Sequence, residues 1–209
     1  KTWPHLVTSG IQSHWPDVHV DYVNARVPGY TVASSLKNLE LRVAALRPDV
    51  IIVYEGFNDL SGIASELAKE QGLASSPTER ELSWPGKYSL LWYLVEKNLR
   101  ISNLQRTAFV EGGKFVVDRE RLTAPYHRDL KDLAATSQRL APLVVLVTLS
   151  TQLRADQSPD EQTQASMITR YYMPYMSNGG LLQALDAYNE TIREVALSMN
   201  ALLIAGEES

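Results

Sequence analysis

The sequence predicts an α/β domain built on a mainly parallel sheet, and three observations carry that prediction. Val50-Ile51-Ile52-Val53-Tyr54 places four β-branched residues before an aromatic, the composition of a short strand covered on both faces, as in parallel sheets. A second apolar run, Leu143 to Leu149, repeats the signal. Helical patterns flank both runs, so that strands and helices alternate.

Taken in order, Leu6, Val7, Ile11 and Trp15 recur at helical spacing, which predicts a helix over 4–15. Asp17 to Asn24 alternates polar and apolar residues and predicts a strand. Asn24-Ala25-Arg26-Val27-Pro28-Gly29-Tyr30-Thr31 carries Pro followed by Gly, a turn signal. From Thr31 or Ser34 to Leu46 the residues Leu36, Leu39, Val43 and Leu46 share one helical face. Arg47-Pro48-Asp49 then stops the helix and opens the strand at Val50. Past Gly56, a helix is expected from Leu60 to Gln71, with Asp59 or Ser61 as its N-cap.

The middle of the chain is less regular. Gln71 to Pro85 is rich in Ser, Pro, Gly and charge and predicts a loop. Tyr88 to Leu99 is strongly apolar and predicts a helix, and Phe109 to Val117 a small hairpin around Glu111-Gly112-Gly113-Lys114. Residues 72–125 are accordingly expected to form an insertion or lid within a single domain spanning 1–209. Regularity returns with a helix from Tyr126 to Leu140 and the strand Leu143 to Leu149. The segment Glu161 to Met176 follows, broken by Gly179-Gly180, then a long amphipathic helix from Leu181 to Met199 and a short strand from Ala201 to Ala205.

Composition narrows the function classes. The chain has 209 residues, enough for one α/β domain with a sizeable core. A net charge of -4 gives no footprint for nucleic acid or an anionic membrane. With no cysteine, disulfides, thiol catalysis and cysteine metal sites are excluded. No apolar run reaches the roughly 18–20 residues of a membrane span. The sequence opens on Lys1-Thr2-Trp3-Pro4 without an initiator Met, which raises the expectation of further chain upstream.

Two turns follow neighbouring strands: Pro28-Gly29 and Gly56-Phe57-Asn58-Asp59. In open α/β sheets, ligands and catalytic groups gather at such carboxyl ends. A glycine lets a backbone N–H approach a ligand oxygen without a Cβ in the way. An asparagine offers two N–H donors and no charge. Donors of this kind, converging on one point, stabilise the oxyanion of an acyl-transfer transition state.

Asn24-Ala25-Arg26-Val27-Pro28-Gly29-Tyr30-Thr31 and Gly56-Phe57-Asn58-Asp59 together resemble the SGNH (GDSL-type) hydrolase superfamily. The segment Ala187-Tyr188-Asn189-Glu190-Thr191-Ile192-Arg193-Glu194-Val195-Ala196 is similar to the helix of that family's penultimate block. The resemblance covers most of the chain except the insertion. It implies a flavodoxin-like, three-layer α/β/α sandwich with a mainly parallel sheet, and a serine esterase. Gly29 N–H and the Asn58 carboxamide would hold the oxyanion, with Asn24, Gly56 and Asp59 as structural support. The implied substrate is a small-molecule ester or an acylated carbohydrate. The resemblance implies neither a metal nor an organic cofactor, and it leaves a membrane anchor only to residues upstream of Lys1.

Two family blocks have no counterpart in the sequence. No Gly-Asp-Ser or Gly-Gly-Ser turn is present, and none of His5, His14, His19 and His127 has an aspartate three residues earlier. In the implied strand order, the first strand lies between the second and third. Without it, Asp17–Asn24 and Val50–Tyr54 would stand about 10 Å apart, twice the roughly 4.8 Å pairing distance. The expectation is therefore a longer or otherwise completed chain. Two other classes stay open: a non-catalytic relative that binds carbohydrate or a partner, and a flavodoxin-like ligand-binding module.

Several residues have plainer explanations. His14, Asp17, His19 and Asp21 fit a solvated polar face better than a metal site, and Gly112-Gly113-Lys114 lacks the pattern of a phosphate loop. Core packing is the simpler account of Trp84, Tyr88, Trp92 and Tyr93. For Tyr171-Tyr172-Met173-Pro174-Tyr175-Met176, a packed helix end and a pocket wall stay open together. Thr148, Ser150 and Thr151 follow a strand and lie near the active edge.

Overall fold

The computed structural model describes residues 3–73, 83, 85, 88–96, 98, 99 and 115–208. The chain divides into two units, Lys1–Tyr30 and Thr31–Ser209.

In the first unit, helix α1 (Trp3–His14) forms where the apolar spacing predicts it. Residues 18–27 do not form a strand, which corrects the expectation for Asp17 to Asn24. Alternation marks a two-sided ribbon, but a strand exists only where a neighbour receives its N–H and C=O groups. Among the described residues no segment pairs with this one. The Pro-Gly turn does form: Tyr30 N–H donates to the Val27 carbonyl at 3.2 Å, and Gly29 sits at φ +83°. Asn24 supports it by accepting the Arg26 N–H at 3.2 Å.

The second unit holds the sheet. Helix α2 (Val32–Asn38) widens into a π turn at Leu39–Val43 and tightens into a 3-10 turn at Ala44–Leu46. Strand β1 (Val50–Val53) pairs in parallel with β2 (Leu143–Val147), which pairs in parallel with β3 (Leu202–Ile204). The order is β1-β2-β3. Cover on both faces is met at the centre of β2, where Val144, Val145 and Leu146 are buried. In β1 only Val53 is buried and Val50 is half-exposed, because β1 is an edge among the described strands.

Helix α3 (Phe57–Glu70) follows β1, and α4 (Arg119–Leu140) precedes β2. Helix α5 (Pro159–Tyr172) and helix α6 (Asn178–Ser198) lie between β2 and β3. Crossovers of one hand along a monotonic strand order bring α4 and α6 to one face, where they pack on each other. The core is made there by Leu122, Leu130 and Leu133 of α4 and by Leu181, Leu185, Ile192 and Val195 of α6.

Three helix boundaries differ from the sequence expectation. Helix α4 begins at Arg119 and not at the expected Tyr126. Pro125 lies inside it, flanked by the fully buried Leu122 and Tyr126, whose packing outweighs the lost backbone bond. Gly179 and Gly180 occupy the first turn of α6, where the Ser177 hydroxyl accepts the Gly180 N–H at 3.0 Å. Helix α3 starts at Phe57, three residues early.

Residues 90–96 are helical, as expected for Tyr88 to Leu99, but Tyr88 and Trp92 are exposed, which corrects their assignment to a core. Trp84, residues 109–114 of the expected hairpin and most of 72–118 lie outside the described residues, and 115–118 form no strand. Met173, Tyr175 and Met176 are buried, with Tyr175 against Phe115 at 5.4 Å between ring centres, so this segment packs as the end of α5. Among the described residues, no helix is long and apolar enough to cross a membrane, and no His, Asp or Glu cluster could hold a metal ion.

The two turn glycines differ in what they require. Gly29 has an open surrounding and needs glycine only for its φ. Gly56 sits at φ +147°, and a Cβ there would lie 2.9 Å from the Tyr126 hydroxyl and 3.1 Å from Leu149 Cδ1. We expect Gly56→Ala to cost about 3 kcal/mol and Gly29→Ala about 1 kcal/mol, measured as urea unfolding by tryptophan fluorescence. Equal losses would contradict the packing assigned to Gly56.

Candidate active site

The sheet is parallel, so its strands deliver their following loops to one edge. After β1 come Tyr54, Glu55, Gly56, Phe57, Asn58 and Asp59; after β2, Thr148 to Arg154; after β3, Ala205 to Glu207.

Asp59 organises the first loop. It is 6% exposed, and its two carboxylate oxygens accept the Val32 N–H at 3.2 and 3.1 Å. Val32 is the first residue of α2 and fully buried. The aspartate therefore caps α2 from across the fold, beside the local cap in which Thr31 accepts the Ser34 N–H at 3.4 Å. This corrects the expectation that Asp59 or Ser61 caps α3. Gly56 holds that N-cap position, and its φ, open only to glycine, turns the chain into the helix early. Glu55 adds a second tie to α2, its carboxylate accepting the Ser35 hydroxyl at 2.7 Å. Asn58 lies exposed in the first turn of α3, next to this buried anchor.

Two tyrosines brace the turn from below. The Tyr126 hydroxyl donates to the Glu55 carbonyl at 2.8 Å, and its ring stacks on Tyr188 at 4.2 Å. Burial pushes both phenols up, so each remains a neutral donor. The second loop is braced by Asn189 of α6. Its side chain accepts the Leu149 N–H at 2.7 Å and donates to the Leu149 carbonyl at 3.0 Å. Sequence reasoning placed Tyr188 and Asn189 in a familiar block but gave them no role, and Tyr126 only began a helix. Nothing in their spacing announces a partner 40 to 71 positions away.

Of the three polar residues after β2, Thr148 is structural. It is fully buried, its N–H donates to the Ile204 carbonyl at 3.1 Å, and its hydroxyl accepts the Gly206 N–H at 2.8 Å. Glu207 bonds the same hydroxyl and pairs with Arg193. Ser150 instead joins the first two loops, 2.9 Å from the Tyr54 hydroxyl. Beside it lies an open concavity of about 350 Å3, lined by Ser150, Thr151, Gln152 and Arg154.

Gly29 and Asn24 belong to the first unit, while Asn58, Gly56 and Asp59 belong to the second. His19 and Asp21 pair at 3.4 Å on an open surface, as expected of a solvated face.

Burial pushes the Asp59 carboxyl up to about 6. The Val32 N–H and its own N–H oppose this, and the charge of Asp129 adds to it. The folded state thus holds a proton that the unfolded state releases near pH 4, so this contribution is full below about pH 4 and lost as pH rises through about 6. We expect Asp59→Asn, which keeps one acceptor but cannot ionise, to gain up to about 3 kcal/mol relative to the native protein between pH 4 and pH 8. Urea unfolding across that range measures it, and parallel profiles would contradict the buried carboxylate.

No protein-family model matches the sequence, and no curated protein does. Solved structures do match. One is a catalytic mutant of an acetylxylan esterase from Geobacillus stearothermophilus, with a TM-score of 0.53 and 17% identity. Another variant of that esterase gives a TM-score of 0.54 and 18% identity. Each match covers 100% of this chain and 64% of the esterase. At this identity the likeness shows the fold alone, an α/β/α arrangement with a parallel sheet.

Proposed function

We propose that this chain supplies the oxyanion-binding part of a serine-type ester hydrolase. In this proposal the Gly29 N–H and the Asn58 carboxamide are the two donors that hold the oxyanion. A serine attacks an acyl carbonyl and a histidine takes its proton. The tetrahedral oxyanion receives the two N–H donors, and its collapse releases the alcohol. Water then repeats the sequence on the acyl-enzyme. The sequence contains neither motif that would mark the serine and its base, so those roles are assigned to no residue.

The observation that carries the proposal is the buried Asp59–Val32 bond. Asp59 follows Asn58 directly, and Val32 stands three positions after Gly29 in the sequence. A carboxylate taken out of water is a costly way to hold a helix end, and it suits a turn whose aim has to be fixed. Asn24, Gly56 and Asp59 then serve as its support. Because the structural neighbours are acetylxylan esterases, a small ester or an acetylated carbohydrate is the substrate class to test first.

Asn58→Ala is expected to lower kcat on short-chain aryl esters by about 10²–10³-fold, with little change in thermal stability. Turnover within about two-fold of the native protein would refute the role of Asn58.

A further inference from the structure

The concavity after β2 has features that the proposed reaction does not use. It is lined by two hydroxyls, a carboxamide and a guanidinium, with no carboxylate among the lining residues. Its loop is built rather than slack. Leu153 is buried at 3% exposure, and its N–H donates to the Thr151 hydroxyl at 3.1 Å. Gln157 clamps the backbone on both sides, accepting the Arg154 N–H at 2.8 Å and donating to the Gln152 carbonyl at 2.9 Å. Gln162 donates to the Arg154 carbonyl at 3.0 Å.

Two of these bonds hold the backbone of Arg154, one at its N–H and one at its carbonyl. Its guanidinium has no hydrogen bond or ion pair among the described residues. Arg121 is 2.6 Å from Glu70, and Arg119 and Arg193 pair with Glu190 and Glu207. A planar guanidinium on a fixed backbone, with hydroxyls beside it, is matched by a carboxylate, which it binds through two parallel bonds. The Tyr54–Ser150 bond ties this loop to the strand end that leads into Gly56 and Asn58.

We infer that the Ser150–Arg154 concavity is a subsite that selects ester substrates bearing a carboxylate, with Arg154 as the residue that reads it. This rests on the esterase proposal for its substrate, but not for its ligand chemistry. The carboxylate can belong to the acyl part or to the alcohol part of the ester.

The test has one arm for each source and one that needs no turnover. Rates are compared for 4-nitrophenyl hydrogen succinate against 4-nitrophenyl butyrate, and for 4-acetoxybenzoate against 4-acetoxybenzamide, in the native protein and in Arg154→Gln. We expect the charged-over-neutral ratio of kcat/KM to fall about ten-fold or more in one pair, through KM. The pair that responds identifies the source. Binding of succinate and of benzoate is followed separately by NMR line broadening, and Arg154→Gln is expected to abolish it. If no ester is hydrolysed but carboxylate binding still depends on Arg154, the esterase proposal fails and the subsite stands. An unchanged ratio in both pairs, or binding that survives Arg154→Gln, overturns the subsite.

Discussion

The turn between β1 and α3 depends on one buried carboxylate. Asp59 holds the first N–H of α2 while sitting in the first turn of α3, so two helix starts are locked to each other and to the end of β1. Both helix ends carry partial positive charge, which favours an anion there, while burial opposes it. The carboxyl rests between these effects, pushed up to about 6. A capping bond this far from its helix in sequence makes the geometry of the turn a property of the whole fold.

Around that anchor the loops at the sheet edge are held by side chains from distant elements. Tyr126 of α4 bonds the Glu55 carbonyl, Asn189 of α6 bonds both backbone groups of Leu149, and Thr148 binds Gly206 after β3. Gly206 is tight as well: a Cβ there would lie 2.5 Å from the Thr148 carbonyl. Each strand end is thus fixed by a bond to another element.

The sequence displays some of this openly. Apolar runs rich in β-branched residues, from Val50 and from Leu143, identify two of the three strands among the described residues, because such side chains suit a pleated sheet even at the edge position of β1. Pro28-Gly29 and Gly56 identify turns that form with positive φ. Other features are invisible locally. Asp17 to Asn24 alternates like a strand, yet strand formation is decided by a partner and not by the segment itself. Pro125 looked like a boundary until the burial of Leu122 and Tyr126 outweighed it. Asp59 could be seen as a capping residue, but its helix could not, since Gly56 took the nearer cap and left the carboxylate to reach Val32. Long-range hydrogen bonds leave no spacing to read.

The central proposal is that the Gly29 N–H and the Asn58 carboxamide both donate to one oxyanion. It is tested most directly by following both ¹⁵N-labelled groups in NMR spectra while methylphosphonate, a tetrahedral oxyanion, is titrated in. The account predicts that the Gly29 amide and the Asn58 side-chain amide shift together and saturate at the same midpoint. A response from only one of them, or different midpoints, would contradict it.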